Sequence, residues 1–426
     1  MTSERLLNMF PEAVPAGRQP VTLRSVPGLV DKAQAGSGSV RAMLKGADGL
    51  YIVAGGTFSR WNGTSVTTLG TLPDAPATMA RNNADEIAIV TGGQYWIWDG
   101  SSLTQIAGTV YSEFGSVDYV DGYFVTTQKG GQRHSISGIN DGKSLGALDF
   151  AAAEHRPDNL TRVIANGGLV WMMGEDTIEP WSNTGGVDYP FSRIQSTVVE
   201  KGLARSQSAA RMDNQVFWVG SDNKVYRSES FNPIRVSTHA VEATLAANRE
   251  HSCFTYQHDG HDLFVVRFPN RPAWVYDAAT QAWHERRSGV SEGAWDVTAT
   301  AFYDGAWYAG TRTGHLCTFG GSQDQGAELR REAMSRNVTM GGNRFKVRNV
   351  DLRCDVGAGG KVVGSFSRDG GRTWSHERER SLGAVGEYDR RVQWRSLGQS
   401  REFAARVWCT DNVDFAIYGA GVDVAS

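Results

Sequence analysis

The sequence predicts an all-β protein: a β-propeller followed by a small C-terminal β-sandwich-like domain. The turn count predicts seven blades, or six if the divergent third repeat is set aside. Three observations carry this. First, a short turn built on Asp or Asn is followed by an apolar or aromatic strand seven times, opening at Asp48, Asp85, Asp121, Asn166, Asp213, Asp259 and Asp304. Successive openings lie 37, 36, 45, 47, 46 and 45 residues apart, a period that fits one four-stranded blade. Such a blade cannot bury both faces alone, so it stacks on neighbours and closes into a ring. Second, an aromatic recurs at a near-fixed offset after the turn. Trp61, Trp98 and Tyr226 lie 13 residues on, Trp181 lies 15 and Tyr276 lies 17. Rings at that position are expected to pack between blades, where they bury the most area. Third, the 426 residues include 50 Gly and only 12 Pro, as a turn-dense β protein requires.

The elements follow in chain order. Residues 1–30 read as an N-terminal arm whose strand-like piece is Val21-Thr22-Leu23-Arg24. The propeller is expected over 31–325. In its first repeat Gly49-Leu50-Tyr51-Ile52-Val53 leaves a turn as a strand, Phe58 to Trp61 is the next, and Asn62-Gly63 is a two-residue hairpin signal. The second repeats this with Glu86 to Val90, Tyr95 to Trp98 and Asp99-Gly100. The third fits worst, having no aromatic between Gln128 and Ile136. The last, Ala306 to Gly320, looks one strand short, and Val21 to Arg24 is the strand expected to complete it. Helical periodicity is confined to two short stretches, 241–248 and 328–334. Residues 335–426 break the repeat and alternate instead, as in Phe345-Lys346-Val347-Arg348-Asn349-Val350 and Phe403-Ala404-Ala405-Arg406-Val407-Trp408, which points to a small sandwich. No charged and then apolar leader opens the chain, and no apolar run approaches the ~20 residues that span a bilayer. Neither export nor membrane insertion is expected.

Cys253, Cys317, Cys354 and Cys409 are far apart, without Cys-x-x-Cys spacing. They are expected to be free thiols in a reducing compartment. Net charge is only −3, but residues 327–426 carry +4 and the preceding 326 residues −7. Within the tail, Arg330, Arg331, Arg336, Arg344, Lys346, Arg348 and Arg353 face only Glu332 and Asp351. Such a run is either a solvated strand face or a contact for nucleic acid or an acidic partner.

Chemistry-bearing motifs are few. His258-Asp259-Gly260-His261-Asp262 is the densest set of potential ligands, but it sits on a blade turn, where Asp-Gly is expected for backbone reasons. Gly357-Ala358-Gly359-Gly360-Lys361 lacks a phosphate loop's first Gly (Asp355) and its Ser or Thr (Val362), and reads as a turn. Ser367-Arg368-Asp369-Gly370-Gly371-Arg372-Thr373-Trp374 matches the Asp-box of sialidase propellers. It raises a second hypothesis, a glycan-binding or glycan-cleaving (sialidase-like) propeller. The physics of the box is nonetheless structural: Ser and Asp satisfy turn amides, and Trp is expected to anchor the hairpin to the core. A sialidase would carry several boxes inside its blades, with a Tyr nucleophile and an Arg cluster. Val275-Tyr276-Asp277-Ala278-Ala279-Thr280-Gln281-Ala282-Trp283 has the look of a kelch-type hairpin. No catalytic, cofactor-binding or metal-binding residues are assigned, and no cofactor is expected.

Several stretches, in order, resemble the packaged-DNA stabilisation proteins, or tail hub (nozzle) proteins, of short-tailed bacteriophages. They are Leu23-Arg24-Ser25-Val26-Pro27-Gly28-Leu29, Thr177-Ile178-Glu179-Pro180-Trp181-Ser182-Asn183-Thr184-Gly185, Lys201-Gly202-Leu203-Ala204, Phe268-Pro269 with Trp274-Val275-Tyr276-Asp277, and Tyr388-Asp389-Arg390-Arg391-Val392-Gln393-Trp394. Pro180 stands where the family has an aromatic. The resemblance implies a structural virion protein and not an enzyme. It implies a homo-hexamer below the portal-adaptor ring that closes the head channel, retains packaged double-stranded DNA without reading its sequence, and docks tail spikes, fibres or a needle. The implied location is the virion tail, assembled in the bacterial host cytoplasm. A near-neutral wall suits moving DNA, because each neutralised phosphate adds affinity through counterion release. The lumen is therefore expected to be mixed or mildly acidic, with the Arg-rich 330–353 segment turned toward protein partners.

Overall fold

A computed structural model describes residues 4–13, 20–153, 155–186 and 189–425. The chain separates into two compact units, residues 31–269 with 296–318, and residues 1–30, 270–295 and 319–426.

The first unit is the propeller. Each of the seven turns marked in the sequence joins the first strand of a repeat to its second. The first strands are Val40–Lys45, Ala77–Arg81, Phe114–Val120, Leu160–Asn166, Ala209–Met212, Ser252–His258 and Val297–Tyr303. Five of these turns place the Asp itself in the left-handed region, with φ of 65° at Asp85, 49° at Asp121 and 48° at Asp213, Asp259 and Asp304. Asp is chosen there because its short side chain tolerates that conformation. At the fourth turn Gly167 and Gly168 take the role, at 59° and 75°.

The first strands stand side by side around an axis, each against the next, and the seventh against the first. Hydroxyls and two guanidiniums stitch this ring: Thr298 Oγ1 donates to Val40 O (2.7 Å), Val117 N to Thr78 Oγ1 (3.0 Å), Val163 N to Ser116 Oγ (2.9 Å), Arg162 to Ala209 O (2.9 Å), Arg211 to Ala165 O (2.8 Å), Thr255 Oγ1 to Arg211 O (3.0 Å) and Thr300 Oγ1 to Thr255 O (2.6 Å). Seven repeats therefore make seven blades. Five of them are complete four-stranded sheets within this unit. Four of the recurring aromatics, Trp61, Trp98, Trp181 and Tyr226, sit between blades as expected. Trp61 packs with Ala299, Tyr308 and Leu316 of the last repeat, and Trp98 with Tyr51, Val53 and Phe58 of the first. Trp181 and Tyr226 do likewise one repeat back. In the aromatic-poor third repeat, Ile136 occupies the site, and the buried ring of His134 meets Trp181 edge-on at 4.7 Å.

Two expectations are corrected. The last blade is completed not by Val21 to Arg24 but by Leu29–Gln34. Ala35 N donates to Gly314 O (2.8 Å), Gln34 Nε2 to Thr313 O (2.8 Å), and Asp31 meets His315 at 3.0 Å. Of the two helical stretches, His239–Ala247 is a helix, whereas Arg331–Met334 is a strand.

The second unit is the sandwich. One sheet runs Met9–Ala13, Val21–Ser25, Ala416–Ala425, Phe345–Cys354, Val392–Ser400. Val21–Ser25 belongs here because Leu23 turns toward the sandwich core and pairs with Ile417. The other sheet carries Lys361–Ser367 and Glu402–Cys409, and extends through Arg331–Met334 and Arg5–Leu7 to the kelch-like hairpin Ala273–Asp277/Ala282–Arg286. Arg5–Leu7 is paired on both sides, parallel to Glu285 and antiparallel to Glu332–Met334. A single core of Trp394, Phe366, Phe403, Val350, Leu352 and neighbours fills the space between the sheets.

Candidate interaction surface

The Arg-rich segment folds into three different environments. Arg331 is fully buried and donates to the carbonyls of Val413 and Asp411, so it is a structural tie. Burial pulls its pKa below the usual arginine value, offset in part by Cys409 and nearby aspartates. Arg330 lies 4.1 Å above the Trp408 ring and pairs with Glu332 at 2.6 Å. Arg336 pairs with Glu4 at 2.6 Å.

Lys346, Arg348 and Arg353 differ: they project from the outer face of Phe345–Cys354 and are exposed. A strict two-residue alternation would put Arg348 outward and Asn349 inward. A bulge between Val347 and Asn349 absorbs the extra residue, so Val347 and Val350 both stay in the core while Arg348 and Asn349 both stay out of it. Asn349 lies opposite Arg395 on the neighbouring strand, which adds another exposed cation. Among the described residues, Lys346, Arg348, Arg353 and Arg395 make no ion pair. Nearby Arg391 is tied to Asp351 at 2.5 Å. Arg344 is exposed just before the strand.

Beside this face, the loop before Val392 displays Val385 and Tyr388, 86 % and 76 % exposed. The Gly357–Gly360 turn, with φ of 84°, 82° and 81° at its glycines, supports that loop. A Cβ on Gly357 would come within 2.6 Å of the Tyr388 ring. Exposed Tyr and Arg side by side are the composition of protein-binding hot spots. Sequence reasoning missed Arg395, since only strand register brings it opposite Asn349, and it missed the exposure of Val385 and Tyr388 in the loop before Val392.

The remaining motifs resolve as turns. In the Asp-box, Gly371 N donates to Ser367 Oγ (2.8 Å), and Arg372 N and Thr373 N donate to Asp369 Oδ1 (3.0 and 2.9 Å). These donors hold the Asp369 carboxyl well below its usual range, the Thr373 hydroxyl contributing most. Trp374 does not enter the core as expected. It is half-buried beneath the Arg406 guanidinium, 4.7 Å from its ring, and the core tryptophan is Trp394. His258 and His261 face each other across the hairpin closed by Asp259-Gly260.

A family model described as bacteriophage P22 Gp10, beta-propeller, matches residues 2–318. A second, bacteriophage P22 Gp10, beta-sandwich, matches residues 330–425. No curated protein sequence matches the chain. Among solved structures, the designed protein Ika8 aligns at 14 % identity over 69 % of this chain and 99 % of its own, with a TM-score of 0.43. BBS1N, solved in complex with ARL6DN, aligns at 11 % identity over 70 % and 98 %, with a TM-score of 0.48. PorZ of Porphyromonas gingivalis aligns at 10 % identity over 75 % and 44 %, with a TM-score of 0.43.

Proposed function

Because the chain belongs to the bacteriophage P22 Gp10 family, phage structural proteins that stabilise packaged DNA, we propose that it acts as the tail hub, or nozzle, below the portal-adaptor ring. In this role it closes the head channel after packaging and docks a spike, fibre or needle. The observation that carries the reading is the pair of adjoining family matches, 2–318 and 330–425, which together span nearly the whole chain.

The architecture suits this work. A hub needs rigidity, and a ring of stacked sheets supplies it while leaving loops and outer faces for partners. The outer sandwich face is the surface we assign to docking: Lys346, Arg348, Arg353 and Arg395 would meet a carboxylate-bearing protein partner, with Tyr388 as an aromatic anchor. Assembly as a homo-hexamer, with mixed or mildly acidic walls toward the DNA, completes the proposal.

Silencing this gene in the producing phage tests the role. Heads that package DNA and then lose it, and that lack tails in micrographs, are the expected result. Full, tail-bearing particles that retain DNA but fail to adsorb would overturn it. Reversing all four cations to Glu tests the docking face separately. Protein that folds but no longer joins tail-less heads is expected, and unchanged joining would remove that face from the proposal.

A further inference from the structure

The seven first strands of the propeller line an open axial cavity of about 1090 Å3. Six cationic side chains line it, Arg41, Lys45, Arg162, Arg205, Arg211 and Arg267, against two carboxylates, Asp118 and Glu250. The 326 residues that include the propeller carry a net charge of −7, so positive charge gathers at the axis against the balance of the chain around it.

These cations are not equally neutralised. Arg41 pairs with Asp74 at 2.7 Å, and Arg211 lies 3.6 Å from Asp118. Arg162 instead donates to the carbonyls of Ser206 (3.0 Å) and Ala209 (2.9 Å), and Arg205 to that of Arg249 (3.4 Å). A carbonyl orients a guanidinium without cancelling its charge. The Arg162 Nε has no acceptor among the described residues. Enclosure, together with the like charge of Arg211, brings the Arg162 pKa down to about 10, with Asp118 opposing. The two groups are also linked through the chain, since Arg162 grips the carbonyl of Ser206, the residue after Arg205. Several axial backbone groups are already bonded to Thr and Ser hydroxyls of neighbouring blades.

We propose that the axial cavity binds a phosphate-class oxyanion, with Arg162 and Arg205 as its ligands. A phosphate dianion offsets two cations that make no ion-pair contact among the described residues, where a single carboxylate offsets one, and its oxygens match the guanidinium fork. The volume is that of a small-molecule site, typically about 300–1,000 Å3. Met43, Met79, Phe302 and Trp307 line the cavity from the first, second and seventh repeats, across the axis from Arg162 and Arg205, and offer apolar surface to the organic part of a phosphate ester.

Calorimetric titration of the full chain at low salt, without added metal, tests this with two probes, inorganic phosphate and adenosine monophosphate. Saturable binding of one ligand per chain is expected, weakened about tenfold or more in R162Q and in R205Q and unchanged in K346Q on the sandwich. Tighter binding of the nucleotide would assign the site to a phosphate ester, and equal binding to the free ion; either supports the site. Arg205 is exposed, so R205Q is expected to stay folded, which its thermal melt checks. Absence of saturable binding by both probes at millimolar concentration, or normal binding by a folded R205Q protein, overturns the proposal.

Discussion

The two units solve the burial problem differently. The sandwich gathers eighteen buried residues around Trp394 into one core. The propeller divides its apolar residues among several blade interfaces, such as the eight that join the first and second blades around Ile89 and Trp98. A defect in the sandwich therefore reaches the whole unit. A defect between two blades is held by the rest of the ring, where hydroxyl and guanidinium bonds stitch the first strands at the six junctions from the second blade round to the first. Concentration gives the sandwich a single point of failure, and repetition gives the propeller tolerance.

Substitutions can break this comparison. Trp394 is fully buried and donates to Arg378 O at 2.8 Å. Trp394→Ala is expected to cost about 3–5 kcal/mol and to unfold the sandwich as a unit, read by denaturant melts and proteolysis. A local change confined to one strand would sink the idea of a single core. Ile89→Ala, also fully buried, is expected to cost about 2–4 kcal/mol while hydrogen exchange rises mainly in the first two blades. Uniform loss of protection around the ring would contradict the tolerance argument.

Acid sharpens the contrast. Burial brings the His134 pKa in the third blade from 6.5 down to about 3. The folded state thus keeps this ring neutral, and the unfolded chain protonates it below pH 6.5. Its contribution is complete above pH 6.5 and is lost as pH falls from there toward 3. Lowering pH from 7 to 5 should cost the propeller about 2 kcal/mol from this group, at 1.36 kcal/mol per pK unit, and denaturant melts of His134→Gln should lack that component. His251, whose pKa burial brings down to about 4, adds in the same sense. The smallest effect is expected in the sandwich. The Asp369 pKa is depressed in the fold by hydrogen bonds from the Thr373 hydroxyl and amide. Its stabilisation is present above pH 3.8 and declines as pH falls below that. Asp369→Asn should lower the melting temperature slightly at pH 7 and flatten the acid dependence below pH 4. Equal acid profiles for both units, starting near pH 6.5, would erase the distinction.

What was legible in the sequence was what the backbone itself selects. Asp at 85, 121, 213, 259 and 304 marks turns because few residues accept a left-handed φ, and Trp61 or Trp98 marks a blade interface because a large ring buries the most area there. Strand partnership was not legible. Val21–Ser25 and Leu29–Gln34 both have strand character, and only the packing of Leu23 and the Asp31–His315 contact decide which of them completes the last blade. The Arg-rich run misled by contiguity: Arg330, Arg331 and Arg348 are neighbours in sequence but serve as a ring stack, a buried tie and a free surface cation. The axial cations erred the other way. Arg162 and Arg205 lie 43 residues apart, and nothing in either neighbourhood announces that closing the ring brings both onto one wall.

The doubly paired strand Arg5–Leu7 has a consequence for the order of manufacture. One of its neighbours, Glu332–Met334, is made more than 300 residues later. At about 5–20 residues per second on the ribosome, this strand waits on the order of half a minute with that edge open. The repeats between can assemble meanwhile, so a strand made before them is among the last to find its place. Anything that ties up this strand during that wait should be felt in yield before it is felt in stability.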